Sequence, residues 1–331
     1  MSPLLLFLFA LTLPSVFGTP SPIQKSEFVF EHAPFESCHA STIVQTKSGF
    51  LVAWFGGSRE GASDVKIWAS GLEKGLWSRP VVLAEGPKAT WNPVLFKTSS
   101  GRMILFFKVG ESPQNWKGMR ITSIDEGLTW SKPSELPDHM LGPSKNKPLE
   151  LSDGKLLYPS SKEEKDSWRV HVESSDGQLE GWQKSSPINR KHLFVIQPTL
   201  IVFTEKKLLL LMRSSRVQKI MESWSFDVGK SWTPPKPTTL PNPNSALDAV
   251  VLRDGRALVV YNNLTQGRGS LDLALSTDEG KTWSHRLNLE TAPGEEFSYP
   301  AVIQADDGLL RVTYTWKRKR IKMVVIDPKL L

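Results

Sequence analysis

The sequence predicts an all-β fold built as a six-bladed β-propeller. Helical periodicity is almost absent, whereas short runs of Val, Ile, Leu, Phe and Trp alternate with turns rich in Gly, Asp, Asn and Pro. Six strand–turn–strand units start about 50 residues apart, and one octapeptide pattern, Ser-x-Asp-x-Gly-x-Ser/Thr-Trp, occurs three times. Repeats of this size and strand content are typical of propellers, which hide their sheet edges by circular closure.

Each unit begins with a hairpin of two apolar strands around a short turn. The six hairpins read "STIVQTKSGFLVAWF", "PVLFKTSSGRMILFF", "PLELSDGKLLYPS", "PTLIVFTEKKLLLLM", "DAVVLRDGRALVVYN" and "PAVIQADDGLLRVTY". A third apolar strand follows each hairpin, as in "DVKIWAS", "GMRITS", "WRVHVESS", "MESWSF", "LDLALS" and "IKMVVI". With one further strand, each unit forms a four-stranded blade.

The octapeptide is predicted to be the turn between the third and fourth strands of a blade. Its full copies span Ser123–Trp130, Ser225–Trp232 and Ser276–Trp283. The aspartates are expected to accept hydrogen bonds from turn amides and the tryptophans to pack between sheets; they are Asp125, Asp227, Asp278, Trp130, Trp232 and Trp283. Degenerate versions, "SGLEKGLW" and "SSDGQLEGW", mark the first and third units.

The N-terminal segment is predicted to be a secretory signal over residues 1–18. Its apolar run ends at "PSVFG", where Val16 and Gly18 suit signal-peptidase cleavage, and Pro14 keeps the run short of the about 20 residues of a membrane span. Residues 19–331 are expected to form a single propeller domain. The protein is expected to be a monomer without membrane insertion, secreted to the extracellular space or, in a bacterium, to the periplasm. Cys38 is the only cysteine, so stability has to come from packing.

The formal net charge of +7 favours acidic partners. Nucleic acid is not expected, because the positive charge is dispersed along the chain and secretion removes the obvious nucleic-acid targets. The one dense basic cluster, Lys317–Arg320, is interpreted as a solvated strand end. Neither a metal nor another cofactor is expected, because the six histidines are scattered and no Asp-rich calcium loop occurs.

In a propeller the starts of the innermost strands converge on one central pocket. At those starts lie His39, Trp91, Asn92, Lys145 to Lys147, Gln197, Asn244 to Asp248, and Tyr299. Loops after the second strands reach the same face and carry Arg59, Glu60, Asp64, Lys108, Arg213, Asn262, Asn263, Arg268 and Trp316. Together these residues predict a cationic, polar ring with aromatic members. Such a ring suits an anionic sugar held by arginines and by aromatic stacking.

The octapeptide resembles the Asp-box of sialidases, a family whose catalytic domain has six blades. The box is structural in that family, so the resemblance implies fold more than activity. In "AWFGGSREGASDVKIW" the resemblance places Arg59 and Asp64 where the family has an arginine and its general acid/base aspartate. Glu60 is a rival carboxylate in the same loop.

Further site positions follow from the same resemblance. In "LLLLMRSS", Arg213 is similar to the second carboxylate-binding arginine of sialidases, and Arg268 in "GRGSLDLALSTDEG" is similar to the third. The segment "FSYPAVIQADDG" resembles the one with the nucleophilic tyrosine, which makes Tyr299 the candidate. A phenol suits attack on an anomeric carbon that carries a carboxylate, because a carboxylate nucleophile would be repelled by the like charge.

The sequence departs from the sialidase pattern in two places. The family's Phe-Arg-Ile-Pro stretch, which supplies the first arginine, is replaced by "CHASTIV", which puts His39 near that position. The glutamate that assists the tyrosine is replaced by Gln197, and an amide cannot accept the phenolic proton. Another base, Asp248 or His39, is then required, or the reaction differs.

Three functions remain open from the sequence. The leading hypothesis is an exo-acting glycoside hydrolase that removes a terminal acidic sugar, either sialic acid or another ulosonic or uronic acid. Its catalytic candidates are Asp64, Tyr299, Glu60, His39 and Gln197, and its substrate-binding candidates are Arg59, Arg213, Arg268, Trp91, Asn92, Asn244 and Asp248. The alternatives are a polysaccharide lyase that acts next to a uronic acid, with His39 or Tyr299 as base, and a non-catalytic carbohydrate-binding propeller.

Overall fold

The computed structural model describes residues 20–331, so the predicted signal at residues 1–18 lies outside the described residues. The strands of the first three blades are β2 (Ser37–Gln45), β3 (Gly49–Gly57), β4 (Lys66–Glu73), β5 (Leu76–Trp77), β6 (Val81–Ala84), β7 (Thr90–Lys97), β8 (Met103–Val109), β9 (Lys117–Ser123), β10 (Ser134–Glu135), β11 (Leu149–Glu150), β12 (Leu156–Glu164), β13 (Ser167–Ser175) and β14 (Gln183–Lys184). The remaining strands are β1 (Ile23–Phe28), β15 (Val195–Thr204), β16 (Lys207–Ser214), β17 (Lys219–Ser225), β18 (Lys236–Pro241), β19 (Asp248–Val251), β20 (Ala257–Tyr261), β21 (Ser270–Ser276), β22 (Ser284–Thr291), β23 (Phe297–Gln304), β24 (Leu310–Trp316) and β25 (Arg320–Ile326). Three single-turn 3-10 helices span Pro113–Asn115, Lys191–Leu193 and Pro328–Leu330.

The strands form six antiparallel sheets, which confirms the predicted six-bladed propeller. The first blade departs from four strands, because the two short segments β5 and β6 both pair with β4. Apolar clusters fill the space between neighbouring blades, so the core is a ring of layers around the axis. No helix within residues 20–331 is long and apolar enough to span a membrane.

The ring is closed by a strand from the other end of the chain. β1 pairs antiparallel with β25, in a register that sets Ser26 opposite Val324 and Phe28 opposite Lys322. The sixth blade therefore combines β1 with β23, β24 and β25. This strand was not among the predicted repeat elements, because β1 belongs to no local hairpin.

The octapeptide copies form the turns that the sequence predicts. In the first copy, Asp125 Oδ1 accepts hydrogen bonds from Ser123 Oγ at 2.7 Å and from the Thr129 amide at 2.9 Å. The Trp130 indole donates to the Gly127 carbonyl at 3.0 Å, and its ring packs against the core between the first two blades. The second copy repeats all three bonds, and the third repeats those to its aspartate, Asp278. Each turn thus joins one blade to the preceding blade.

A buried carboxylate at the propeller axis links four blades. Asp248 starts β19 in the fifth blade and is 2% exposed. It accepts hydrogen bonds from Lys147 Nζ at 2.8 and 3.0 Å, from Thr199 Oγ1 at 2.8 Å and from the Val302 amide at 2.9 Å. Burial acts to raise the pKa of Asp248, but Lys147 and Lys145 outweigh it and hold the pKa below its ordinary value.

This geometry differs from the sequence interpretation of Asp248 as a substrate ligand or base. Its oxygens are taken by donors from three other blades, so the carboxylate is a structural anchor. The sequence could not reveal this role, because Lys147, Thr199 and Val302 lie far from Asp248 along the chain.

We expect Asp248→Ala to destabilise the propeller by about 3–5 kcal/mol, because it leaves the partly buried Lys147 without its counter-charge. Urea unfolding followed by tryptophan fluorescence measures this change. Asp254→Ala, which removes an exposed turn carboxylate paired with Arg256, is the matched control and should cost under about 1 kcal/mol. Equal stability of the two variants would contradict the anchor role.

Candidate active site

The inner strands direct their first side chains to the axis through backbone irregularities. β2, β7, β15 and β23 each contain a break in register, and at each break one residue adopts a positive φ. These residues are Ala40 (58°), Asn92 (42°), Gln197 (51°) and Tyr299 (53°). A proline follows three of them and removes an amide that a regular ladder would need. Bulges of this kind re-aim side chains near functional sites.

Tyr299, Arg213 and Gln197 form the centre of the site. Arg213 Nη1 donates a hydrogen bond to Tyr299 Oη at 2.6 Å and to Gln197 Oε1 at 3.1 Å. Arg213 is buried, and its Nε has no hydrogen-bond acceptor among the described residues. Gln197 therefore orients the guanidinium, which in turn holds the Tyr299 hydroxyl in place.

Two further arginines surround the tyrosine and are joined by one carboxylate. The guanidinium carbon of Arg268 lies 5.5 Å from the Tyr299 ring centroid. Arg268 and Arg318 both pair with Glu296, at 2.9 and 3.1 Å. Although burial opposes the shift, these two arginines hold the pKa of Glu296 below its ordinary value. The site therefore carries more positive than negative charge around the phenol.

His39 lies directly against Tyr299. The two ring centroids are 4.0 Å apart, and His39 is 1% exposed. Neither ring nitrogen has a hydrogen-bond partner within the described part of the chain, and Nδ1 lies 4.0 Å from the nearest Glu296 oxygen. Burial, followed by the charges of Arg318 and neighbouring cations, lowers the pKa of His39 well below its ordinary value. The imidazole is therefore neutral near pH 7 and holds a lone pair beside the phenol.

The structure separates the two carboxylates of the first-blade loop. Glu60 reaches into the ring and pairs with Arg318. Asp64 turns away, because the Ser58 amide and hydroxyl each donate a hydrogen bond to it at 2.9 Å, and it lines an outer groove with Trp68. Arg59 is exposed at the surface of the same loop. Of the two predicted acid/base candidates, only Glu60 joins the ring.

The remaining predicted residues frame the site. Trp91 is a packing residue, since it is buried against Trp116 and its indole donates to the Gly110 carbonyl at 2.8 Å. Asn92 donates to the Ser144 carbonyl at 3.1 Å, and the Asn244 carbonyl accepts from Arg268 at 3.3 Å. Asn244 Oδ1 is buried without a donor among the described residues.

Lys145 adds a buried cation next to Tyr299. Its Nζ donates to the Pro300 carbonyl and to Asn146 Oδ1, the latter at 3.0 Å. Burial lowers the pKa of Lys145 to about 7, and the nearby Asp248 opposes this shift. Lys108, by contrast, lies in the interior between blades and donates to the Pro143 carbonyl at 2.6 Å, so it is outside the site.

Three residues of the site were missed by the sequence interpretation. Arg318 belongs to the basic cluster that was interpreted as a solvated strand end, yet it bonds two site carboxylates. Glu296 precedes β23 by one residue. Glu163 lies near the end of β12, the second strand of its blade, in "SSKEEK". Glu60 was selected because the loop after the second strand of a blade reaches the site. The same reasoning, applied to the third blade, selects Glu163.

The arrangement is suited to binding an anion beside an activated phenol. Arg213, Arg268 and Arg318 surround Tyr299, while Glu60 and Glu163 supply carboxyl groups. Within residues 20–331, no cluster of three or more His, Cys, Asp or Glu side chains is placed to hold a metal ion. The side chains around Tyr299 can supply acid–base, nucleophilic and electrostatic chemistry.

Comparison with known proteins places the chain in a family. Residues 48–312 match the BNR repeat-like domain, and the chain belongs to that family. A sialidase of Bacteroides fragilis strain YCH46 is 25% identical over 208 residues, which cover 58% of this chain and 38% of that protein. The match therefore spans about two fifths of the length of that sialidase.

Solved structures share the fold at low sequence identity. A Dyadobacter fermentans DSM 18053 protein of unknown function has a TM-score of 0.77 and 15% identity, covering 92% of this chain and 98% of its own. The Hadza microbial sialidase Hz136 has a TM-score of 0.76 and 18% identity, with coverages of 89% and 66%. The predicted sialidase-like, BNR-repeat propeller is confirmed.

We expect the buried His39 to make the protein acid-labile. Because its folded-state pKa is depressed, the unfolded chain takes up the proton first, and the free energy of unfolding falls as the pH drops below about 6.5. His39→Gln should reduce the slope of unfolding free energy against pH by up to about 1.4 kcal/mol per pH unit below that point. Chemical denaturation between pH 7 and about pH 4.5 measures the slope.

His192→Gln, which removes an exposed imidazole, is the matched control and should leave the slope unchanged. An unaltered slope in His39→Gln as well would contradict a depressed histidine pKa.

Proposed function

We propose that the protein is a glycoside hydrolase that removes a terminal acidic sugar, a sialic acid or a related ulosonic or uronic acid, from a glycan. The observation that carries the proposal is the hydrogen bond of 2.6 Å from Arg213 to the Tyr299 hydroxyl inside a cluster of arginines. Membership of the BNR repeat-like family and the likeness to a sialidase support the same class of reaction. The substrate is a glycoconjugate or acidic oligosaccharide met outside the cell, by a monomer whose residues 1–18 act as a secretory signal.

Arg213 is the arginine best placed to bind the substrate carboxylate. Arg268 and Arg318 are each already paired with Glu296, whereas Arg213 bonds only neutral groups through Nη1. Its buried Nε lacks an acceptor among the described residues, and such orphaned donors are rare in folded proteins. A substrate carboxylate at this guanidinium would form a charge-assisted pair, the stronger class of hydrogen bond.

Tyr299 is assigned as the nucleophile. Its oxygen would form a bond to the anomeric carbon while the bond from that carbon to the leaving oxygen breaks. The phenolic proton passes to His39, whose neutral ring packs against the tyrosine, and Arg213 stabilises the phenolate. Water then cleaves the glycosyl–tyrosine bond and releases the free sugar. Gln197 takes no proton in this scheme and holds Arg213 in place.

A lyase is the second candidate, and one observation favours it. His39 is a buried, neutral imidazole with both nitrogens unpartnered among the described residues, so it keeps the lone pair that a base requires. An arginine-neutralised uronate carboxylate would acidify that carbon, and the glycosidic oxygen would leave as a double bond forms. The two reactions differ in product mass, because hydrolysis adds one water and elimination adds none.

Product analysis separates the candidate functions. The purified protein is incubated with sialylated glycans and uronic-acid oligosaccharides, and the products are followed by mass spectrometry. Release of a hydrated acidic monosaccharide supports the hydrolase. An unsaturated product would assign a lyase, and binding without any product would indicate a carbohydrate-binding propeller.

We expect Tyr299→Phe to lower kcat about 10³-fold on a released acidic sugar, because the phenyl ring keeps the packing and loses the attacking oxygen. Tyr261→Phe is the matched control, since Tyr261 is buried in the core between the fourth and fifth blades. Steady-state kinetics and melting temperatures are compared for both variants. Full activity in Tyr299→Phe would remove the tyrosine from the mechanism.

We expect Arg213→Gln to raise KM about 10- to 100-fold for the acidic sugar, the range of one or two charge-assisted hydrogen bonds. The loss should be much smaller for a substrate analogue whose carboxylate is converted to a carboxamide. Arg216→Gln serves as the control, because Arg216 stacks on Phe194 outside the ring. Equal losses on the acid and on the amide would argue against a carboxylate-binding role.

A further inference from the structure

Strand geometry directs Glu163 toward the candidate active site. In β12, Ser161 accepts a hydrogen bond from the Gln197 amide at 3.1 Å, so this face of the strand is turned toward the inner strand of the fourth blade. Successive side chains of a strand alternate between faces, and Glu163 therefore points to the same side as Ser161, about 7 Å farther along. Gln197 in turn bonds Arg213. The carboxyl of Glu163 is thus carried to the Arg213 side of the ring.

Glu163 differs from the other carboxyl groups around the ring in having no partner. Glu60 pairs with Arg318, Glu296 pairs with two arginines, and Asp64 accepts two bonds from Ser58. The side chain of Glu163 has no hydrogen bond or ion pair with any residue of the described range 20–331. The side chain is half-buried. Its oxygens are not among the buried, unpartnered atoms of the described residues, so the carboxyl group is open to solvent and to a ligand.

We propose that Glu163 is the general acid that protonates the departing glycosidic oxygen. The inference rests on the proposed glycosidase function and adds to it a catalytic residue and the side from which the leaving group departs. As the Tyr299 oxygen forms its bond to the anomeric carbon, the bond to the leaving oxygen breaks and that oxygen takes the proton from Glu163. In the second step, the resulting carboxylate accepts a proton from the attacking water.

Electrostatics agree with this role. Burial raises the pKa of Glu163, with Arg213 acting in the opposite direction and Glu60 acting in the same direction. A carboxyl group with a raised pKa keeps its proton closer to neutral pH, as a general acid requires. Glu60 is less suited to the role, because its carboxylate is already engaged by Arg318. The part of the glycan that leaves would then lie on the third-blade side of the site.

The test compares leaving groups that need protonation with one that does not. The substrates are a natural glycan and an activated aryl glycoside of the same acidic sugar, such as the 4-nitrophenyl glycoside. We expect Glu163→Gln to lower kcat/KM about 10²- to 10³-fold on the glycan and less than about 10-fold on the aryl glycoside. In the same variant, the decrease of kcat/KM on the glycan at high pH, the basic limb of the pH profile, should disappear.

Two variants control for indirect effects. Glu164→Gln, which changes an exposed neighbour paired with Lys162, should keep full activity on both substrates. Glu163→Ala should regain part of its lost activity on the glycan when formate is added, because a small acid can occupy the space left by the side chain. Rescue of this kind would not occur if Glu163 only supported the fold.

Three results would overturn the assignment of Glu163. They are equal losses of kcat/KM on the two substrates, an unchanged basic limb of the pH profile, and a leaving-group dependence that appears in Glu60→Gln instead. Each of these results requires an active wild-type protein, so the proposed hydrolysis would survive them. If the wild-type protein leaves both substrates intact, the hydrolase proposal itself fails and the role of Glu163 fails with it.

Discussion

The structure depends on the pairing of β1 with β25, which completes the sixth sheet with a strand from the opposite end of the chain. The first and sixth blades are also joined directly, since the Cys38 amide donates to the Arg318 carbonyl at 2.9 Å and the Ala40 amide donates to Thr315 Oγ1 at 3.1 Å. His39 and Tyr299 belong to those two blades, and their rings are 4.0 Å apart. Closure of the ring at this junction therefore brings the proposed base and nucleophile into contact.

The charged groups near the propeller axis have two different roles. The Asp248 carboxylate is fully used by Lys147, Thr199 and the Val302 amide, so it holds four blades together and has no capacity left for a ligand. Around Tyr299, Arg268 and Arg318 are paired with acids, whereas Arg213 bonds only neutral partners. The Asp248 interactions stabilise the ring of blades. Arg213 keeps an attraction for anions that it would have lost in an ion pair with a protein carboxylate.

The replacement of glutamate by Gln197 changes how the site can work. An amide oxygen accepts a hydrogen bond from Arg213 but cannot take the phenolic proton, so activation of Tyr299 has to come from the arginine and from a separate base. The neutral, unpartnered imidazole of His39 is the group in contact that has the required lone pair. The same imidazole keeps elimination chemically open, which explains why product mass, rather than fold likeness, distinguishes hydrolase from lyase.

The sequence by itself determined the number of blades, the octapeptide turns and the identity of Tyr299, Arg213 and Arg268 as ring residues. These features are local, because the alternation of side chains along a strand, the chemistry of turns and the position of a residue at a strand end each depend on one blade. Only the tertiary structure decided that β1 closes the ring, that Ser58 draws Asp64 away, that Asp248 is an anchor, and that Arg318 and Glu163 reach the site. The physical reason is that each of these outcomes rests on how side chains point and pair across blades, and contacts between distant segments leave no periodic signal in the chain.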